Sequence, residues 1–346
     1  MRKILMTTTA LVAFGLSNAE VAQTMSHVEK GIAISGSGKA VYHTWSDGID
    51  DTGGMNNSKT TSQTDLSVAY TGVTDNGLTI GVKSTILLSH DGVSNGLDND
   101  GYKFSLAGDW GSIRTGDSTA GDDYAVDGTD VLYDRFTLST AATGLSSTLM
   151  DDHWLNKSDH NTITYTSPNF SNFVLGISYD DAGTESNADT IEAGFSYSTT
   201  AGGLGIDISA GMRSASKSND EDNTSADASA SSFGATLSTD RISFTIAANS
   251  LEQDATLDTS DVDVSNTSMG ISYSATDSVT VAASYLTAED GETDDEYSEV
   301  GASVTYTIAT GLQTGITYQT FGVTDASAPN ADGDGTYTTF FLKASF

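Results

Sequence analysis

Carboxylates are the commonest reactive groups in this chain. Asp117, Asp122, Asp123, Asp127, Asp130 and Asp134 crowd into one polar stretch, and acidic pairs such as Asp122/Asp123 and Asp294/Asp295 recur elsewhere. Two carboxylates at a set separation could hydrolyse a glycoside, and a cluster could hold a hard cation. With 47 acidic residues, however, adjacent pairs are unavoidable, and nothing fixes their separation, so no enzyme is read here. The run Asn330-Ala-Asp332-Gly-Asp334-Gly335 begins like a calcium loop, but its twelfth position is Phe341 instead of Glu. Calcium bridging of acidic loops stays open, without a defined ligand set. The five His (His27, His43, His90, His153, His160) have no metal-ligand spacing, and the absence of Cys removes thiol catalysis and thiolate metal sites. No resident cofactor is expected.

A different chemistry emerges when the few bases are set beside the acids. Lys39, Lys83, Lys103, Arg114 and Arg213 sit in segments where large apolar residues alternate with small or polar ones, and each falls on the polar phase. Lys343, Asp65, Glu192, Asp207 and Glu299 do the same. A Lys or Arg facing lipid at mid-membrane costs roughly 2–4 kcal/mol, so a membrane strand must turn such residues inward. The stretch 118–158 is the longest connection between alternating segments, and its Val131, Leu132, Tyr133 and Phe136 could anchor it to a wall. Acids on such a loop and bases on the facing wall would set a field across a narrow aqueous pore, and charged side chains lining a pore tune which ions pass.

The elements that must hold these groups are strands. Sixteen alternating segments run from about residue 31 to the end, as in Leu66/Val68/Tyr70 and Leu78/Ile80/Val82 around the turn 73–77. Ile191 to Tyr197 and Leu204 to Met212 flank Ala201-Gly202-Gly203; Met269 to Tyr273 and Val279 to Tyr285 flank Ala275-Thr276-Asp277. Connections alternate in length: short turns follow every second strand, and longer acidic segments lie near 46–60, 89–100, 118–158, 181–187, 215–227, 251–262, 287–295 and 322–335. That is the pattern of an outer-membrane barrel, in which strands of about 9–11 residues cross the bilayer. Tyr70, Tyr165, Tyr197, Tyr273, Tyr306 and Phe346 sit on the apolar phase beside short turns or at the C-terminus. Tyr102, Tyr179, Tyr285 and Tyr318 sit on it beside long loops, giving two aromatic rings. The last segment, Gly335 to Phe346, alternates to its final residue, as a strand that must close a barrel would. A soluble sandwich would show the same alternation, so a secreted acidic β-sandwich or solenoid that binds surfaces or glycans is the alternative of a different class.

Bulk properties narrow the choice. Arg2 and Lys3, an apolar stretch Ile4 to Leu16 and the small site Ser17-Asn18-Ala19 form a secretory signal peptide, with the mature chain expected to start at Glu20 as one domain, 20–346. Removing Arg2 and Lys3 leaves 12 basic against 47 acidic residues, a net charge of −35 with His neutral. Nucleic acid is not an expected partner of so acidic a surface; cations are.

Two segments carry a family likeness. Asn161-Thr-Ile-Thr-Tyr165-Thr-Ser167-Pro168-Asn169-Phe170-Ser-Asn-Phe173-Val-Leu-Gly176-Ile-Ser-Tyr179 resembles the Y-x-S-P-x-F-x-x-F hairpin of general bacterial porins, and Gly108-Asp-Trp110-Gly111-Ser-Ile-Arg114-Thr-Gly116-Asp117 resembles the stretch leading into their long third loop. The resemblance implies a 16-stranded antiparallel transmembrane β-barrel, a homotrimer in the Gram-negative outer membrane, with short turns in the periplasm. In that family the third loop folds inward and narrows the pore. Lys39, Lys83, Lys103, Arg114 and Arg213 would then face Asp117, Asp122, Asp123, Asp127, Asp130 and Asp134 across a constriction. The expected activity is passive diffusion of small hydrophilic solutes and ions, with cations preferred; a channel specific for one solute class is the alternative within the same fold.

Overall fold

The computed structural model describes residues 31–47, 58–90, 98–116, 120–132, 162–180, 189–216, 227–254, 261–324 and 333–346. The proposed signal peptide and most of the long connections lie outside these residues.

The strands are β1 (Gly31–Asp47), β2 (Ser58–Val73), β3 (Thr79–His90), β4 (Asp98–Gly108), β5 (Gly111–Gly116), β6 (Thr162–Thr166), β7 (Phe173–Asp180) and β8 (Asp189–Ala201). They continue as β9 (Leu204–Ser216), β10 (Ala228–Ser238), β11 (Ile242–Gln253), β12 (Val262–Thr276), β13 (Val279–Asp290), β14 (Asp295–Ala309), β15 (Leu312–Thr324) and β16 (Gly333–Ser345). Each pairs antiparallel with its neighbours in sequence, and β16 pairs with β1 to give a closed barrel of sixteen strands. Closure satisfies every edge, the condition for spanning a bilayer with strands, and it excludes a two-sheet sandwich.

The seam is built by the C-terminal strand. Lys39 lies opposite Lys343 and Tyr42 opposite Phe340, and Phe346 exchanges both backbone hydrogen bonds with Gly36 at 3.1 and 3.0 Å. A Cβ on Gly36 would come within 2.7 Å of the Phe346 ring, so this glycine makes room for the aromatic on the outer face.

Outside and inside follow the alternation. Ile32, Ile34, Phe104, Ile177, Met212, Ile246, Ile271, Val300 and Leu342 are exposed on one face. Tyr70, Tyr165, Tyr273, Tyr306 and Phe346 form an exposed band at the short-turn end, and Tyr102, Tyr179, Tyr285 and Tyr318 one at the other. The opposite face carries Thr164, Ser178, Ser196, Ser209, Ser232, Asn249, Ser268 and Thr317, all buried. An apolar exterior with two aromatic bands suits lipid, where a soluble barrel would reverse the faces.

Two features depart from the sequence expectation. The segment 287–295, expected as a long acidic loop, is mostly strand: β13 runs to Asp290 and β14 begins at Asp295, leaving a four-residue turn. There the Asp290 carboxylate accepts from the Glu292 N–H at 3.0 Å, and Asp294 takes a left-handed conformation (φ 58°). Polar residues outside the membrane extend a ladder as readily as they form a loop, so polarity did not mark the strand ends. The second departure is apolar packing inside the barrel. Ala230, Leu251, Val264, Leu286, Ala288, Tyr297, Phe321 and Val323 form one buried cluster on the inner face of β10–β15, near the ends remote from the short turns.

Candidate functional site

Part of the connection between β5 and β6 turns inward. Its described part, 120–132, holds a short helix α1 (Ala120–Tyr124) and a 3-10 turn (Thr129–Val131). Both lie against the inner wall: α1 against β6–β9 and the turn against β12 and β13. Backbone donors along the segment are met by wall hydroxyls. The N–H of Ala120 donates to Ser178 Oγ at 3.0 Å, that of Val126 to Ser232 Oγ at 3.0 Å and that of Gly128 to Ser268 Oγ at 2.8 Å. These donors would cost about 1–3 kcal/mol each if buried unpaired.

Glycines in the wall make the fit possible. A Cβ on Gly176 would lie 2.6 Å from the Tyr124 ring, and one on Gly194 would overlap the same ring. On Gly234 it would strike Val126, on Gly270 the Gly128 carbonyl and Val131, and on Gly301 the Leu132 side chain. These five glycines all lie on the inner phase, on β7, β8, β10, β12 and β14. In register, Gly176 is opposite Gly194 and Gly194 opposite Gly211; Gly234 is opposite Ala247, Ala247 opposite Ser268, and Gly270 opposite Ser284, itself opposite Gly301. Small residues thus form a trough across half the barrel, and the loop fills it. Glycine weakens a strand interior, so mid-strand glycines on one phase are the signal in the sequence that could reveal such a trough.

The acids of the loop have different fates. Asp123 is buried and ion-paired with Arg114 of β5, which ties α1 to the strand that precedes it. Asp127 is buried and turns its carboxylate to its own chain, accepting from the Thr129 N–H at 2.9 Å and from the Thr129 hydroxyl. It therefore shapes the 3-10 turn. Asp130 is exposed, Asp122 lies within α1, and Asp117 and Asp134 fall outside the described residues, as do Tyr133 and Phe136. Burial pushes the Tyr124 phenol up to about 12, with the Arg114 charge opposing the shift, so the ring stays neutral in its glycine slot.

The bases divide into two groups. Lys39 faces Lys343 across β1 and β16, and Lys83 faces Lys103 across β3 and β4, all on the inner phase. Directly opposed like charges destabilise a sheet, which tells against a purely structural reason for both pairs. Arg213 is different. It stands on β9, a strand under α1, with Nε 3.9 Å from the buried Glu192 carboxylate opposite it. It therefore belongs to the wall that carries the loop. Across the lumen from that wall lie the lysines of β16 and β1–β4. Among the described residues, no group of three or more His, Asp or Glu side chains is gathered for a metal.

Comparison with solved structures finds the same fold at low identity. An anion-selective porin from Comamonas acidovorans aligns with a TM-score of 0.66 at 14% identity, over 92% of this chain and 100% of that one. OmpT, an outer membrane protein of Vibrio cholerae, aligns at 0.61 and 16% identity over 91% and 97%. Its trimer form aligns at 0.59 and 15% over 91% and 99%. A sequence comparison with curated proteins finds no match. The model of the Gram-negative porin family matches residues 7–326. With the closed barrel, the lipid-suited exterior and the inward segment, that match settles the class: the chain belongs to the Gram-negative porins, channel proteins of the outer membrane.

Proposed function

We propose that this porin is a passive, cation-preferring diffusion channel for small hydrophilic solutes, assembled as a homotrimer from chains that have lost residues 1–19. One observation carries the reading: a loop segment held flat in a trough on β7–β14, facing lysines on the other side of the lumen. A group held against one wall narrows the bore without closing it. Acids on the loop side and bases opposite orient a polar or zwitterionic solute, whereas an apolar one must displace ordered water.

Cation preference is supported by the charge of the chain, −33 before removal of Arg2 and Lys3, and by the inward Asp65 and Asp207 and the exposed Asp130. A potential of that sign raises the local concentration of cations at both mouths. For assembly, the outer face of β1 and β2 is unlike the rest: Gly36, Gly38, Ala40, Ser62 and Thr64 replace bulky apolar residues there. Small side chains give a flat surface better suited to another protomer than to lipid tails.

Detergent-purified protein reconstituted in planar bilayers tests the reading. Stepwise conductance in threefold units is expected, with a reversal potential of cationic sign in a salt gradient, and an intact mass starting at Glu20. An anionic reversal potential would refute the preference, and a protein without conductance would refute the channel.

A further inference from the structure

We propose that the water path through this barrel is one-sided: beyond the third-loop segment it runs along the inner face of β2–β4, while the inner face of β10–β15 is a dry, sealed core. The proposal rests first on a contrast in exposure between inward-facing residues of one barrel. Val264 and Leu286 are 0% exposed, Tyr297 2%, Leu251 3%, and Phe321 and Val323 5%. On β2–β4 the inward Lys59, Lys83 and Lys103 are exposed, and Asp65, Ser67 and Ser105 are half-buried.

The chemistry of the two walls agrees with the contrast. Eight neighbouring apolar side chains on β10–β15 pack on one another, and Ala125 of the loop segment packs against them. Keeping such a surface out of water is favourable, so a wet wall would not be built this way. The ring of Phe321 fills the space above Gly335, where a Cβ would overlap it. Several polar groups beside the cluster are paired with protein. Tyr297 donates to the Glu299 carboxylate at 2.9 Å, Gln319 donates to its other oxygen at 2.9 Å, and Asn249 donates to Asn266 at 2.9 Å. Glu299 and Gln319 are each 2% exposed. Buried polar groups that find protein partners in this way mark a region from which water has been excluded.

These strands and the adjoining β9 are open at their other ends. Asp207, Thr236, Ser272, Thr280 and Gln313, all inward and close to the short turns, are half-buried. Beyond the loop the water path is thus confined to a lane lined by Lys59, Lys83, Lys103 and Asp65, while inward residues of β9–β15 regain exposure next to the short turns. These few side chains and the exposed Asp130 of the loop, and not the whole inner circumference, contact a permeating solute in its narrowest passage.

The chain contains no cysteine, so single cysteines report water access without background. Lys83→Cys and Ser105→Cys mark the lane; Ala230→Cys and Ala288→Cys, which add only one sulfur each, mark the sealed wall. Each variant is reconstituted in planar bilayers and exposed to an anionic and a cationic methanethiosulfonate (sulfonatoethyl and trimethylammonioethyl). At the lane positions both reagents should change the conductance within the mixing time. At Ala230→Cys and Ala288→Cys the change should be roughly a hundredfold slower, because a buried thiol reacts only through local opening. Comparable rates at all four positions would overturn the one-sided path while leaving the channel intact. Stepwise channel insertion before labelling, together with a β-sheet spectrum like the parent's, certifies that each variant has folded. Absence of conductance in the parent would instead refute the channel reading itself.

Discussion

Reversing Lys83 and Lys103 together, as K83E/K103E, is expected to raise the cation-to-anion permeability ratio about tenfold. The two residues are opposite one another on the inner phase of β3 and β4, and both are exposed to the lumen. A unit charge about 8 Å from a passing ion contributes roughly 0.5 kcal/mol in water, and screening at physiological salt removes about two thirds of that. The double reversal changes the wall by four charges, or about 0.8 kcal/mol after screening. That amount favours a cation and penalises an anion, so the two effects multiply in the ratio. Reversal potentials in a salt gradient measure it directly. The control is Arg241→Glu, in the turn between β10 and β11 and away from the lane. An unchanged ratio in the lysine double variant would mean that ions do not pass that wall. The effect should shrink as salt is raised, since the Debye length falls to about 3 Å at 1 M.

The alternation of apolar and polar residues carried the barrel. A strand inserted in lipid must present apolar side chains to the bilayer and keep charge off that phase, and the lipid-facing stretches of the strands do so from Ile32 to Phe346. Turn chemistry such as Ala201-Gly202-Gly203 then fixed where the direction reverses. The inward segment was legible as the longest connection, but its course was not. What sets that course is a set of absences, the missing Cβ atoms of Gly176, Gly194, Gly234, Gly270 and Gly301, and these line up only after the strand register is known. The fates of the acids were hidden for the same reason. Asp127 and Asp123 look alike in sequence, yet one closes a turn on Thr129 and the other meets Arg114. The dry cluster was also unreadable, because Leu286 and Phe321 on the inner phase look like noise in an alternating pattern until the register makes them neighbours.

The double substitution Gly234→Val and Gly270→Val should dislodge the loop segment without unfolding the barrel. Each new side chain overlaps an atom of the segment, Val126 in one case and the Gly128 carbonyl in the other. Forcing extra atoms into such a fit costs typically about 1–3 kcal/mol a site. Lifting the chain also breaks the hydrogen bonds from the Val126 and Gly128 N–H groups to Ser232 and Ser268, each worth about 1 kcal/mol net. The segment has no wide apolar face to offset these losses, since Val126, Val131 and Leu132 are its main wall contacts from Val126 onward, and two of the three glycine slots they use would be blocked. The barrel's own ladder, closed around all sixteen strands, is untouched and valine suits a strand. The expected readouts are new protease cleavage between Ala120 and Leu132, a noisy single-channel conductance, and an unchanged β-sheet spectrum on heating to the parent's transition. Gly31→Val, where a side chain would meet nothing within 4 Å, should behave as the parent. If the double variant keeps a quiet, parent-like channel, the trough does not hold the loop, and Arg114 paired with Asp123 becomes the anchor to test next.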